Sequence, residues 1–567
     1  MSISEKKFSR LTTSVDWSQK QLEIPRAKRI DAIKQFVGFH YAGGGSEKVV
    51  PMNFIKLAMD IYTRTLAPKA PRVLVTTSKT AMKPAAANLE LALNMIPIEI
   101  NLGGTLRRIV TEALFSIGVA KIGLHAVGEA LGHEYGKPFV DVITLDNYFL
   151  DMTARHIDEI QYEGNDYWLT EDELHDSDHF KKSRLNDLTF EPNTTIGEHG
   201  EPRAEGIAIQ TSDEAYKQRV WVRDVWVPGE KLLHTYAVRS KRQLGTVDWT
   251  GPERGMYRRL GFFDVPGNLL PLPPVSVWRD LHDLSNVLFR KLSTQADNQK
   301  TVAGFPGGQE DDVNAFKGAT DGDGIQYNGR KPEILTAGGV SPTTLAFVNV
   351  VRELSSYYGG NLDSIGGLAA QTETVGQDKM LTESAGAQMR EMSGRTVDFV
   401  RSVFRDLAYY EWGDPVSERT LQKPIPGMGG VSIPMKWDRN SRQGDFNVFD
   451  LDIDVYSLQD DSPGLKLRRL GLIMQTYVLP LMPEIQAQGG QLDVQAILRT
   501  VAKYADFPEL AELVTFVEQS GQQAGPAATT NTGPSTQGGG DARQQPHPQG
   551  SAIDEIMQSL QEPGQQA

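Results

Sequence analysis

Cysteine is absent from the 567 residues, which rules out disulfides, thiolate metal sites and cysteine nucleophiles. Gly-Lys-Ser and Gly-Lys-Thr occur nowhere, so an ATP motor built on a Walker-type phosphate loop is not expected. The zinc-protease pattern HExxH and the nucleophile elbow GxSxG are missing as well. Long apolar runs are scarce. The best candidate, Ile109 to Leu131, is broken by Glu112, Lys121, His125 and Glu129, and a membrane span needs about 18 clean apolar residues. Positive charge is also short: 58 Lys and Arg against 72 Asp and Glu leave a net charge of −14. That balance argues against coating nucleic acid through a broad basic face. The first residues, MSISEKKFSRLTTSVDW, hold no apolar core of a secretory signal. A soluble protein made and used in a cytoplasm is expected, and Asn193 in its Asn-x-Thr setting is then a loop residue and not a glycan site.

What remains is a long chain, sufficient for several domains, with 54 glycines marking many turns or close backbone approaches. Residues 1–135 read as mainly helical. VVPMNFIKLAMDIYTRTLAP carries Phe54, Ile55, Leu57, Ile61 and Leu66 and stops at Pro68, and TLRRIVTEALFSIG is a second helix. KIGLHAV and PFVDVITL, separated by GEALGHEYGK, predict a hairpin. Strands are expected again in GIAIQTS, RVWVRDVWV and KLLHTYAVR, with Trp221, Val225 and Trp226 in their core. After the prolines of FFDVPGNLLPLPP, Ser276–Lys300 predicts a helix of about 36 Å whose stripe is Val277, Leu281, Leu284, Leu288 and Leu292. A Gly- and Asp-rich interval follows, with strand-like IQYN and EILTA, and predicts a compact β-hairpin module. Ser341–Pro342 starts another helix, striped by Phe347, Val351, Leu354 and Tyr358 and stopped by Gly359–Gly360. From about Thr374 to Trp412 a single helix of about 55–60 Å is expected, with Met389, Met392, Thr396, Val400, Val403, Phe404, Leu407 and Tyr410 on one face. VSIPMKW and FNVFDLDIDVYS return to strand, and three helical stretches follow up to about residue 519. From Ser520 a Gln/Gly/Pro/Thr tract cannot bury a core and is expected to be disordered. At its end SAIDEIMQSLQE places Ile553, Ile556, Met557 and Leu560 on one side of a short helix that reads as a docking peptide.

Candidate chemistry is sparse. DGDGIQYNGRKPE begins like a calcium loop at Asp321, but Gln326 stands where glycine is required, so a turn fits better. In LTEDELHDSDHFKK, Thr170 and Glu173 form a capping box. His175 and His179 would share a helix face at a zinc-compatible spacing, although acids at the start and Lys181–Lys182 at the end equally describe an exposed helix that matches its dipole. The acidic pairs Asp311–Asp312 and Asp460–Asp461 read as solvated turns. One segment stands out for blandness. GGNLDSIGGLAAQTETVGQDKM, from Gly359 to Met380, separates two strong helices and holds no His, Cys or Tyr.

The order of these parts resembles the portal protein, or head-to-tail connector, of tailed bacteriophages. The resemblance covers about residues 40–515. It is carried by VVPMNFIKLAMDIYTRTLAPKAPRVLV, VDVITLDNYFLDMTARHIDEI, LPLPPVSVWRDLHDLSNVLFRKLSTQADNQK and QTETVGQDKMLTESAGAQM. It implies an α+β ring subunit. The wing would run to residue 275 and be rejoined by 377–460. The stem would be the helices 276–300 and 342–358, the β-rich clip 301–341, the tunnel loop 359–376 and the helical crown 461–520, with a disordered tail beyond. It further implies a homo-dodecamer around double-stranded DNA at one capsid vertex of the virion, assembled in the host cytoplasm. Its partners would be the terminase, a tail adaptor, and the capsid and scaffolding proteins. No catalytic centre, cofactor, metal or membrane contact is expected. The loop residues Gly366, Gly367, Gln371, Thr372 and Thr374 would face the DNA, and Lys317, Asp321, Asp323, Arg330 and Lys331 of the clip would meet partners. A loop beside sliding DNA has reason to be bland, because each neutralised phosphate adds a barrier to movement. The alternatives are a non-phage oligomeric scaffold or adaptor, and a metal-dependent enzyme built on His175 and His179.

Overall fold

A computed structural model describes residues 4–501 apart from 42–43, 68–70, 126–136, 178–179, 181, 186–187, 192–201, 208–217, 306, 308–309, 327–332, 361, 363–374, 415–417, 425–431, 454–466, 468–469, 488–496 and 498–500; of 375–387 it describes the backbone helix only. The chain divides into two compact units, Met1–Pro483 and Glu484–Ala567. Most of the described structure belongs to the first, and it is α+β throughout.

The first unit opens with α1 (Glu5–Val37), α2 (Phe54–Leu66), β1 (Val73–Thr77), α3 (Lys83–Glu99) and α4 (Leu102–Phe115). α2 and α4 follow their apolar periods, and Ile55, Met59 and Tyr62 of α2 meet Leu106, Ile109 and Val110 of α4 in the largest core. β1 pairs with β14 (Phe449–Ile453), far along the chain. Its other edge is sealed by α3: Asn94 Oδ1 accepts from the Val73 amide at 2.9 Å, Asn94 Nδ2 donates to the Val73 carbonyl at 3.0 Å, and Glu90 accepts from the Val75 amide at 2.9 Å. An edge strand is thereby denied to other chains.

β2 (Gly118–Leu124) and β3 (Pro138–Ile143) form the expected antiparallel hairpin, and β9 (Tyr257–Leu260) joins β2 on its other side. The second sheet runs β4 (Tyr148–Leu150), β5 (Glu163–Thr170), β6 (Arg219–Val227), β7 (Leu232–Ala237), β8 (Arg242–Asp248), each strand antiparallel to its neighbour. Trp221, Val225 and Trp226 are buried as the alternation predicts. The GIAIQTS strand does not form over its first two residues. Gly206 and Ile207 lie in a 3₁₀ turn, and the remainder falls outside the described residues.

Charged side chains, and not apolar ones alone, hold α1 to this sheet. Arg26 donates to the carbonyls of Leu145 and Tyr148 at 3.0 Å each, while Arg29 bridges Glu112 at 2.7 Å and Asp146 at 3.0 Å. Burial lowers the Arg26 guanidinium to about 10, still charged at neutral pH. Within the sheet Arg223 grips Asp166 with two bonds of 2.6 and 2.7 Å. Lys121 joins the two sheets by donating to Asn165 on β5 at 2.9 Å and Asp224 on β6 at 3.0 Å. Charges buried this deeply depend on such pairing.

α6 (Pro274–Asp297) starts with proline in its first turn, two residues before the predicted cap. β10 (Lys300–Gly304), α7 (Glu310–Gly318) and β11 (Glu333–Ala337) follow, with β10 and β11 antiparallel. α8 (Pro342–Tyr358) and α9 (Val375–Gly413) match the predicted bounds closely. α9 would extend about 58 Å. Its Met389, Met392, Thr396, Val400, Val403, Phe404 and Leu407 are all buried, as the period requires. β12 (Arg419–Pro424) and β13 (Ser432–Trp437) form another two-stranded sheet, and α10 (Leu479–Ala487) is preceded by a π-helical turn at Met474–Val478. No described helix is long and apolar enough to cross a membrane.

The interval between α6 and α8 keeps part of the β-hairpin expectation, since EILTA is β11 and pairs antiparallel with β10, but a helix stands between the two strands. It is strand–helix–strand, because EDDVNAFKG forms α7 with three acids in its first turn and Lys317 in its last, an arrangement the helix dipole favours. The pair Asp311–Asp312 therefore lies on a helix and not in a turn, and Asp312 is buried. Ile325 and Gln326 are not in a strand, and the rest of IQYN lies outside the described residues.

Candidate functional site

α6 and α8 form an antiparallel hairpin closed at its far end, where the Ser341 amide donates to Gln295 Oε1 at 3.3 Å. The predicted stripe of α6 divides: Leu292 is buried, Leu281 and Leu288 are half-buried, and Val277 and Leu284 are exposed. The buried face of α6 is Pro274, Val275, Trp278, His282, Ser285, Asn286 and Leu292. Val277, Leu284, Val287 and Phe289 face water, Val287 at 54% exposure. α8 divides likewise. Val348, Val351 and Ser355 are buried, whereas Leu345, Phe347, Val350, Leu354, Tyr357 and Tyr358 are exposed, Tyr357 at 69%. Of the predicted α8 stripe only Val351 lies inside.

The reason is a set of polar contacts with a distant part of the chain. Asn286 treats Met52 as a strand neighbour would: its Oδ1 accepts from the Met52 amide at 2.9 Å and its Nδ2 donates to the Met52 carbonyl at 2.9 Å. Nδ2 also donates to the His282 carbonyl at 2.8 Å. One turn on, Arg290 donates to the Val49 carbonyl at 2.8 Å. Near the start of α6, Arg279 reaches Asp31 of α1 at 2.5 Å. His282 is fully buried, and burial drives its imidazole down to about 4, so it is neutral at physiological pH.

At the root of the hairpin Tyr62 of α2 is fully buried, with its ring against Trp278 at a centroid distance of 5.1 Å. Its hydroxyl donates to the Gly359 carbonyl, just past α8, at 2.8 Å. Burial raises that hydroxyl to about 12, so it remains a donor. Gly360 has φ +75°, and a Cβ there would stand 3.1 Å from the Tyr62 hydroxyl and 3.0 Å from Gln388 Oε1 on α9. The positive φ favours glycine, and a Cβ would press on both atoms. Leu362 is buried in the main core.

The predicted loop residues Gly366, Gly367, Gln371, Thr372 and Thr374 lie outside the described residues, as do Arg330, Lys331, Ile553, Ile556, Met557 and Leu560. Of the remaining clip candidates, Lys317 is exposed on α7, and Asp321 and Asp323 lie in or beside a turn. Asp323 accepts from the Thr320 amide at 2.8 Å and hydroxyl at 2.7 Å, and these bonds hold its carboxyl below the usual range. Beside them the two-stranded ribbon exposes Val302, Ile334 and Leu335.

The Thr170–Glu173 capping box forms as expected, but the helix it starts, α5 (Glu171–Asp176), has six residues and ends before His179. His179 lies outside the described residues. His175 is exposed and lies 4.0 Å from Glu171. Among the described residues no three His, Asp or Glu side chains converge as a metal site would require.

Sequence reasoning missed Tyr62, Trp278, Met52 and Asn286. The available signal was the polar pair His282 and Asn286, one turn apart inside an otherwise apolar period. Compared with models of protein families the chain matches none, and it matches no curated protein.

Proposed function

We propose that the protein is a ring-forming portal subunit, a conduit for double-stranded DNA at a capsid vertex with no catalytic centre. The observation that carries this reading is the apolar exposure of the hairpin. Many apolar side chains of α6 and α8 face away from their own chain, although Val275, Trp278, Leu292, Val348 and Val351 are buried beside the polar His282, Ser285, Asn286 and Ser355. Exposed apolar rows of this extent mark a surface that meets protein. On one rigid hairpin two such rows, one per helix, suit neighbours on either side, which is a head-to-tail contact that closes into a ring.

In this reading α6 and α8 are the stem, residues 301–341 the clip, 359–376 the tunnel loop, and α9 the long helix returning into the wing. The net charge of −14 agrees with a channel that lets DNA slide, because few phosphates would be neutralised. Terminase and a tail adaptor are the expected partners outside the ring, with capsid and scaffolding proteins around it.

Mass photometry and negative-stain imaging of the purified chain test the assembly. Closed rings of about twelve copies are expected, and a monomer at all concentrations would overturn the reading. Rings that retain no DNA would favour an oligomeric scaffold. A neutral-to-acidic change at Gln371 or Thr372 is expected to reduce packaged DNA with rings intact, and unchanged packaging would remove that segment from the channel.

A further inference from the structure

The segment from Val49 to Tyr62, which ends in α2, runs antiparallel to α6 and is joined to it at intervals. Val49 meets Arg290, Met52 meets Asn286, and Tyr62 meets Trp278. Val49 and Met52 lie in the non-helical stretch that leads into α2, and Tyr62 lies on α2 itself, while Trp278, Asn286 and Arg290 follow one another along α6. At the last of them Tyr62 does two separable things. Its ring packs on Trp278, and its hydroxyl holds the Gly359 carbonyl. Gly359 and Gly360 also close α8 through amide bonds to Ser355 at 3.1 Å and Tyr357 at 3.0 Å. Gln388 of α9 comes to the same point.

We propose that the Tyr62 hydroxyl is a positioning group that fixes where the chain leaves α8, tying the root of the following loop to the strut formed by α2 along α6. A helix C-terminus leaves carbonyls without intrahelical partners, and most such ends are satisfied by a local turn or by solvent. Here the partner is a buried phenol from an element almost three hundred residues earlier, fixed by an aromatic contact. Displacement of the loop root is therefore passed to the hairpin and to α2, and not absorbed in a fraying turn. The consequence for DNA rests on the ring reading proposed above; the anchoring itself does not.

Tyr62→Phe keeps the ring on Trp278 and deletes only the hydroxyl. In the full chain, amide exchange at Gly359 and Gly360 is expected to quicken about fivefold, as loss of one buried hydrogen bond implies, with the assembly state unchanged. Gly360→Ala, which places a Cβ against that hydroxyl, is expected to act in the same direction. It serves as the second probe if Tyr62→Phe fails to fold. Exchange at both glycines unchanged in the folded variants would overturn the proposal. A functional arm uses rings carrying a photo-crosslinker at position 371 and duplex DNA. Cross-linking in the wild type that falls several-fold in Tyr62→Phe, with melting unchanged, supports a positioning role over a merely structural one. Wild-type cross-linking that the variant leaves unaltered would overturn that role, whereas no cross-linking in the wild type would count against the channel reading and leave the exchange result to decide the anchor.

Discussion

Asp406 is a carboxylate in an awkward place. It is buried on α9, its Oδ1 accepts from Arg258 at 2.7 Å, and its Oδ2 has no hydrogen-bond partner among the described residues. Burial raises its pKa from 3.8 to about 6, against the pull of Arg258, Arg405 and Arg254. The folded chain therefore takes up a proton near pH 6 that the unfolded chain takes up only near 3.8. The stabilisation from that proton is complete at acid pH and is lost as pH rises through about 6. The interval corresponds to roughly 3 kcal/mol. Asp406→Asn removes this titration. Denaturant unfolding between pH 4 and 7 is expected to show the stability difference, wild type minus variant, falling by that order as pH rises. A difference independent of pH would exclude Asp406 as the titrating group.

The junction of α1 and α2 depends on one amide side chain. Asn53 caps α2 by accepting from the Lys56 amide at 3.0 Å, and its Nδ2 donates to the carbonyls of Gln35 and Phe36 at 3.2 and 2.9 Å, near the end of α1. Asn53→Ala is expected to cost about 1–2 kcal/mol in the unfolding midpoint. Asn53→Ser, which can restore the cap but not the bonds to α1, should recover about half.

Legibility in the sequence followed the range of the forces involved. α9 was readable because Met392, Val400, Val403 and Leu407 repeat at the helical period, and α8 because Pro342 and the paired glycines mark its ends. The 33 residues of α1 gave little amphipathic contrast, since Arg26, Arg29, Gln19 and Ser18 are buried on its inner face beside Val15 and Leu22. α7 was hidden by the glycines around it. For α6 the period was visible but its orientation was not. Which side turns inward depends on Tyr62, Met52 and Val49, and no local pattern encodes those partners. The loop of 359–376 was singled out by composition alone, and its root became readable only when Tyr62 and Gly359 were brought together.

At the scale of the whole molecule, the ring proposed above would be joined through the hairpin. A Val287→Glu, Val350→Glu double variant places charge on the exposed side of both helices. It is expected to shift mass photometry from rings to single chains while leaving the monomer's unfolding midpoint within about 0.5 kcal/mol, as for ordinary surface changes. Rings formed at wild-type concentration by this variant would move the contact elsewhere.

The same wet apolar rows have a thermal consequence. If copies join through them as proposed, hydrocarbon is removed from water, and that driving force weakens on cooling and strengthens with excluded salts such as sulfate. Chilled, dilute, low-salt solutions should therefore release subunits, while warmth and ammonium sulfate drive them together, so refrigeration would be the gentlest way to take the assembly apart.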